Sequence, residues 1–325
     1  MKENKIFTII VTYNAMKWLD RCLNSLRASS IPTTVVVIDN GSTDNTIASI
    51  QTHFPEVVLF PQDKNLGFGQ ANNIGMRYAL AHGASHVLLL NQDAWIDSDM
   101  IEHLLQYDDH DSLLSPIHLT GEGDTIDKNF RQNAIGRSEE YQRYMEEQKA
   151  SILSKYATKE INAACWLLPR EVLEEIGGFN PLFFHYAEDN DYLQRLHYHS
   201  KGVYFVSGTH CYHDRANVPA KKPTEQLIYQ QLILRSVDIN YTPFVCTLHR
   251  LRYGMAVWHT ALAEHRLHDI ILYYRAKPRF RRQTKPLKRI DTLYKQKEHI
   301  GSNDCRTVHI FHASCYISGP QERRC

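Results

Sequence analysis

No run of about 20 apolar residues occurs anywhere in the chain, so a helix able to span a bilayer is not expected. The start enters a β-branched run at Ile6 without the apolar core of a signal peptide, which gives the expectation of a cytoplasmic protein. The seven cysteines are an odd number and show no Cys-x-x-Cys spacing, which speaks against a disulfide framework and against a zinc cluster. Charge of either sign is not in excess: 37 Lys and Arg face 36 Asp and Glu, so a nucleic-acid partner is not expected. The turn after the first strand-like run contains no glycine, which removes the dinucleotide fingerprint, and no Walker loop is present.

What is present is a repeated alternation of short apolar runs and helix-like segments over the first hundred residues, the pattern of βαβ units and a mostly parallel sheet. Ile6 to Val11, Val35 to Ile38, Val57 to Phe60 and Val87 to Leu90 read as buried strands. Between them, helices are expected from Trp18 to Ala28, from a cap at Ser42-Thr43-Asp44 through Ile50, and from Asn72 to Ala81. From 112 to 158 the pattern weakens, and this stretch is expected to be an insertion over the acceptor side, with a helix near Glu139 to Ser154. Pattern returns in the strand Ala163 to Leu168, the short helix Glu171 to Ile176, the helix Asp189 to His199 and the strand Val203 to Val206. Leu227 to Tyr274 is expected to be helical throughout.

The expected division is a catalytic domain over 1–215, with halves 1–111 and 112–215, a helical extension over 216–274, and a basic tail over 275–325. Arg275 to Arg289 holds eight Lys or Arg and no acid. Two readings of it stand: a peripheral contact with an anionic membrane surface, and a solvated basic tail. The last residues, Gly301 to Cys325, show no periodicity and are expected to be poorly ordered.

Open parallel sheets bind ligands outside the carboxyl ends of their strands. Polar clusters fall there in succession: Thr12-Tyr13-Asn14, Asp39-Asn40-Gly41-Ser42, Asn65-Leu66-Gly67-Phe68-Gly69 and Asn91-Gln92-Asp93. Any one of them has an ordinary reading as turn chemistry. Four at one edge favour a shared ligand site, in which Asp93 is the natural oxygen ligand for Mg²⁺ or Mn²⁺ bridging a diphosphate. Asp97 and Asp99 read as the solvated start of a helix.

Further along, Glu188-Asp189-Asn190-Asp191 follows the aromatic run Phe183-Phe184-His185-Tyr186. Carboxylates at a helix start are ordinary, because the macrodipole and free N–H groups favour them there. A wall of aromatics before an acid also shapes a cleft for a sugar ring, and Asp189 is the candidate general base. Among 18 histidines, His213 stands out by its place just past a strand beside Asp214, from which it could reach a diphosphate or a cation on Asp93. His210 is its rival.

These residues resemble a known family. Ile9-Ile10-Val11-Thr12-Tyr13-Asn14, Val37-Ile38-Asp39-Asn40-Gly41-Ser42-Thr43-Asp44, Asn65-Leu66-Gly67-Phe68-Gly69 with Asn73-Ile74-Gly75, and Gly177-Gly178-Phe179-Asn180 with Glu188-Asp189-Asn190-Asp191 and Arg195 look like family 2 glycosyltransferases. Within the family the chain looks closest to bacterial rhamnosyltransferase-like enzymes of surface polysaccharide assembly. The resemblance covers roughly Ile6 to His213 and implies the α/β GT-A fold: a Rossmann-like, mostly parallel sheet flanked by helices, here with a C-terminal helical extension.

It also implies a site. Thr12, Tyr13, Asn14, Asp39 and Asn40 would lie near the nucleotide base, and Asn65, Gly67 and Asn73 along the ribose and phosphate wall. Asn91-Gln92-Asp93 would stand at the family's DXD motif, departing from it at the first position. Asp93 and His213 would hold Mn²⁺ or Mg²⁺, Asp189 would be the base, and Trp166, Glu188 and Asp191 would lie on the acceptor side. The function so implied is inverting transfer from a nucleoside-diphosphate sugar, dTDP-rhamnose or a UDP-hexose, to a saccharide or lipid-linked saccharide. Two rivals are weighed against it: a catalytically silent sugar-nucleotide-binding subunit, and a nucleotidyltransferase, whose Gly-rich loop with a basic residue is missing between Thr12 and Asn14.

Overall fold

The computed structural model describes residues 4–146, 153–214 and 224–277. The tail from 278 onward, with most of the basic stretch and the segment 301–325, lies outside the described residues, as do Arg215 and the middle of the helix expected over 139–154. The described residues form two compact units, one within 4–185 and 199–214 and one of 186–198 with 224–277. The segment 186–198, expected within the 112–215 half, thus groups with the C-terminal helices.

The first unit is a mixed sheet with flanking helices. In chain order its elements are β1 (Ile6–Thr12), α1 (Leu19–Arg27), β2 (Thr33–Asp39), α2 (Thr46–His53), β3 (Val58–Pro61), α3 (Phe68–Ala81), β4 (His86–Asn91), β5 (Ala94–Ile96) and α4 (Met100–Leu105). There follow β6 (Ser112–Thr120), α5 (Lys128–Phe130) running into a π-helical turn at Arg131–Ile135, α6 (Glu139–Glu146), β7 (Ser154–Ala157), β8 (Cys165–Pro169) and α7 (Arg170–Ile176). The helix α8 (Glu188–Tyr198) belongs to the second unit, and β9 (Gly202–His213) returns to the sheet. The order across the sheet is β3-β2-β1-β4-β8-β6-β9-β5, with β7 also paired to β9. Pairing is parallel from β3 through β4 and between β6 and β9, and antiparallel where β8, β5 and β7 join.

Periodicity explains the helices that cover the sheet. Leu19, Cys22, Leu23 and Leu26 of α1 recur at helical spacing and are all buried. Each such side chain contributes roughly 1.5–3 kcal/mol when fully removed from water. On the other side α3 comes close enough to the sheet that a Cβ on Gly75 would stand 2.4 Å from Ile9 Cγ2.

The stretch 112–158 differs from its expected role as an insertion. Ser112–Thr120 is the strand β6, inside the sheet between β8 and β9. Its Ser112, Ser115, Pro116 and His118 hide the apolar signal, and Ser115 Oγ donates to the Cys165 carbonyl at 2.7 Å. Ser154, expected at a helix end, opens β7.

The second unit is helical: α8, α9 (Glu225–Val237), α10 (Pro243–Ala263) and helical residues 267–277. Both α8 and α10 pack on α9. The single helix expected over Leu227 to Tyr274 is broken after Val237, where Thr242 caps the start of α10 by accepting from the Val245 N–H and Pro243 takes the first turn, in which no donor is needed. A second break falls at 264–266. No helix among the described residues is long and apolar enough to cross a membrane.

The first turn of α8 carries three acids with different fates. Asp191 is buried and paired with Arg195 Nε at 3.0 Å. Glu188 is also buried, and burial, together with the neighbouring Asp189 and Asp191, pushes its carboxyl up to about 8. Asp189 is half-buried and accepts the Asn190 N–H at 2.8 Å.

Two expectations follow for stability. Gly67 has φ +83°, and a Cβ there would meet the Phe184 carbonyl oxygen at 2.0 Å, so Gly67→Ala should cost roughly 2–4 kcal/mol in denaturant unfolding; an unchanged midpoint would contradict the close approach. Between about 4.5, the ordinary value, and about 8, the folded chain keeps a proton on Glu188 that the unfolded chain has released. Stability from this group therefore falls as pH rises through that window, and Glu188→Gln should melt higher than the wild type near pH 8 and nearly level with it near pH 5. Equal pH dependence of the two melting temperatures would remove the assignment.

Candidate functional site

The carboxyl edge of the parallel strands is built by side chains that tie one turn to the next. At the end of β1, Thr12 is fully buried and its hydroxyl donates to Asp39 Oδ2 at 2.8 Å, across the register pair Thr12 and Asp39. The same carboxylate accepts the Ser42 N–H at 2.9 Å and the Ser42 hydroxyl at 2.5 Å. Ser42 Oγ in turn accepts the Asn14 N–H at 2.9 Å, and Asn14 Oδ1 accepts the Thr43 N–H at 2.8 Å. Asn14 sits at φ 52°, a left-handed conformation that asparagine tolerates better than most residues.

A second network joins the ends of β2 and β3. Asn40 donates through Nδ2 to Asn65 Oδ1 at 3.1 Å and to the Gly67 carbonyl at 3.2 Å, and accepts the Leu66 N–H at 2.9 Å. Asn65 Oδ1 also accepts the Gly67 N–H at 2.8 Å. The Phe68 N–H, at the start of α3, donates to the Phe184 carbonyl at 3.2 Å, so the aromatic run closes directly on this turn.

The third corner holds Asp93. Gln92 clamps the end of β4 to the end of β1, accepting the Tyr13 N–H at 2.7 Å and donating to the Tyr13 carbonyl at 3.3 Å, while the Tyr13 ring stays exposed. One residue on, β5 pairs antiparallel with β9 so that Ala94 lies opposite His213, and the Asp214 N–H donates to the Asp93 carbonyl at 2.8 Å. This register sets His213 Nε2 3.3 Å from Asp93 Oδ1. Two donors on one ion with bonds of about 2.1 Å lie about 3–3.4 Å apart, so the spacing suits a shared cation. His213 is 4% exposed and its Nδ1 is buried without a hydrogen-bond partner, whereas Asp93 keeps a face open to solvent.

Two neighbours of this corner escape sequence reasoning. Hydrogen bonds from Lys17 Nζ at 2.8 Å and Trp18 Nε1 at 2.6 Å hold the Asp214 carboxyl below the usual carboxylate range and latch the start of α1 to the end of β9. His118 is fully buried on β6, and burial, then the neighbouring His213, push it down to about 3, so it is a neutral ring beside His213. A weakly patterned strand gave no signal for it.

Several expected residues serve structure. Asn73 clamps both backbone groups of Phe179, donating to its carbonyl at 2.8 Å and accepting its N–H at 2.7 Å. Trp166 is fully enclosed, stacked 6.2 Å from Phe179, and presents no surface to an acceptor. Glu188 and Asp191 are buried in α8 as described above. Asn91 is half-buried: its backbone N–H is on the Ala164 carbonyl at 2.9 Å, and its side-chain Oδ1 has no hydrogen-bond partner among the described residues. Asp97, expected to be solvated, instead holds His210 Nδ1 at 3.2 Å and accepts the Tyr212 hydroxyl at 2.9 Å, which commits His210 away from Asp93.

Among the described residues, one group brings three metal-capable side chains together, and it is a different one: His86, Asp108 and His110, with His86 at the opposite end of β4 from Asp93. There Asp108 Oδ2 lies 2.8 Å from His86 Nε2 and 3.0 Å from His110 Nδ1. Asp93 and His213 are two donors, which is the number expected where substrate phosphates complete the shell.

The sequence profile of glycosyl transferase family 2 matches residues 8–177, more than half of the chain. The chain is 32% identical over 111 residues to the dTDP-rhamnosyl transferase RfbF of Shigella flexneri, a match covering 34% of this chain and 36% of that protein. It is 25% identical over 244 residues to an N-acetylglucosaminyl-diphospho-decaprenol L-rhamnosyltransferase of Mycobacterium tuberculosis, covering 67% of this chain and 79% of the other. In structure it is similar to the mannosyltransferase PcManGT of Pyrobaculum calidifontis, solved with GDP-Man and Mn²⁺, at a TM-score of 0.52 and 17% identity over 85% of this chain and 74% of the other. The chain belongs to glycosyl transferase family 2 and is a glycosyltransferase of the GT-A fold.

Proposed function

We propose that the chain is an inverting transferase that moves a rhamnosyl or hexosyl group from a dTDP- or UDP-linked donor to a saccharide or lipid-linked saccharide in surface polysaccharide synthesis. The observation that carries this is the pairing of Asp93 Oδ1 with His213 Nε2 at 3.3 Å, at the edge where the networks of Asp39 and Asn40 converge. The nature of the donor is supported by the Shigella relative, and a lipid-linked acceptor by the mycobacterial one.

The residues divide the work by their environments. Asp93 and His213 would hold Mn²⁺ or Mg²⁺, and such an ion, when bound, neutralises charge growing on the leaving diphosphate. Asp39 and Asn40 have their side chains committed to holding the turns, so they shape the base pocket and leave backbone and the Tyr13 ring to face the nucleotide. In α8, Asp189 is the acid suited to act as base: Glu188 holds its proton at neutral pH and Asp191 is committed to Arg195. Asp189 takes the proton of an acceptor hydroxyl as that oxygen bonds to the anomeric carbon. The carbon–oxygen bond to the nucleoside diphosphate breaks on the opposite face, and one displacement inverts configuration.

A general base contributes about 10²–10⁴-fold, so Asp189→Asn should lose transfer on that scale while its nucleotide-induced thermal shift stays as in the wild type. Near-normal transfer by this variant would make the base another residue. In a panel of UDP-, dTDP- and GDP-sugars, one donor class should raise the melting temperature, and Mn²⁺ should add to the shift. Asp93→Asn should lose the Mn²⁺ increment and keep part of the nucleotide shift; a chain unresponsive to every donor would count against the whole reading.

A further inference from the structure

We propose that α10 and the helical residues 267–277 form a face that lies flat on an anionic lipid surface. On α10, Phe244, Leu248, Leu251, Met255, Trp258 and Leu262 are all exposed, Phe244 by 72% and Met255 by 64%. They recur at alternate steps of four and three residues, which gathers them into one narrow stripe. The buried residues of the same helix, Cys246, Gly254 and Ala261, lie off that stripe. Leu267, Ile271 and Tyr274 repeat the spacing on the next helix and are also exposed. A Cβ on Gly254 would meet the Tyr273 hydroxyl at 2.5 Å, so the two helices are in close contact, and the Trp258 and Tyr274 rings meet edge to face at 6.1 Å. The two stripes are therefore one patch. Monomers scatter exposed apolar residues singly, and a contiguous set of this size marks a binding surface.

Charge chooses the occupant. α10 has no Asp or Glu; its basic residues are His249, Arg250, Arg252 and His259. The nearest acid beyond its end, Glu264, is paired with Arg266 at 2.9 Å. The sequence from Arg275 to Arg289 adds eight Lys or Arg and no acid. A second copy laid on the stripe would set these cations against each other with no carboxylate of α10 to answer them, whereas anionic headgroups answer them directly. Trp258, Tyr241 and Tyr274 supply the amphipathic rings that settle at headgroup depth. Since no described helix can cross a bilayer, the contact is in the plane of the interface. The purpose of this docking rests on the lipid-linked acceptor proposed above, but the binding itself needs neither donor nor acceptor.

The test is co-sedimentation of the full chain with vesicles of phosphatidylcholine alone and of phosphatidylcholine with phosphatidylglycerol. The wild type should bind the second kind, with a blue shift in tryptophan fluorescence that Trp258→Phe removes. A Leu251→Glu, Met255→Glu double variant should bind about tenfold more weakly or worse, since two apolar contacts become charged, with an unchanged melting temperature. Binding equal to the wild type in that variant would overturn the proposal, and so would binding lost only when Lys and Arg of 275–289 are neutralised. A wild-type dimer that the double variant splits, without vesicle binding in either, would assign the face to a second copy instead. Vesicle binding without any nucleotide-induced thermal shift would sink the donor reading and leave this one standing.

Discussion

The strand β9 is the member on which the corner of Asp93 and His213 depends. It runs parallel to β6 along one side, and on the other pairs first with β7 and then with β5. The change of partner needs a break in register. Residues 207–209 supply it, since Val206 lies opposite Pro116 but His210 opposite Ile117, and Gly208 takes φ +74° within the break. Beyond the break the antiparallel pairing with β5 fixes His213 opposite Ala94. A slip of one residue would turn the imidazole to the other face of the sheet and leave Asp93 without a neighbour.

That dependence explains which parts of the molecule could be read in advance. The strands β1 to β4 are continuous β-branched and leucine runs separated by amphipathic helices, because both faces of a parallel sheet are covered. Their ends could be found by counting, and Asp93 with them. β6 could not, since it buries Ser115, bonded to His118 Nε2 and the Cys165 carbonyl, and His118 itself, and a strand with such residues inside looks polar in the sequence. The later half of β9 was unreadable for a related reason: a break with a glycine ends the alternation, so only Val203 to Val206 carried the pattern. His213 was reachable through family resemblance and not through periodicity. Asn73 reads in two ways. An asparagine beside a glycine-rich turn suits a nucleotide wall, yet its two-ended amide equally suits a backbone clamp, and the partner, Phe179, lies 106 residues away in the chain.

The acids of α8 show how one short sequence yields different chemical groups. Glu188, Asp189 and Asp191 look alike on paper as helix-start carboxylates. Burial raises Glu188, an ion pair with Arg195 holds Asp191, and Asp189 between them is only half-buried. A neutral Glu188 also spares Asp189 a negative neighbour at physiological pH. None of these differences is written in the four letters of the motif; they come from what packs against each side chain.

If Asn91 stands at the first position of the family's DXD motif, as the resemblance implies, its neutrality has a physical meaning. With Asn91 neutral, Asp93 is the only formal charge from that motif beside a divalent ion, and His213 adds a neutral ligand. The ion would keep more of its positive charge for the diphosphate than it would between two carboxylates, and would hold on to the protein less firmly without it. Metal and donor should therefore bind as a unit rather than metal first. His118 lies behind the same corner: held neutral by burial, it places no positive charge against His213.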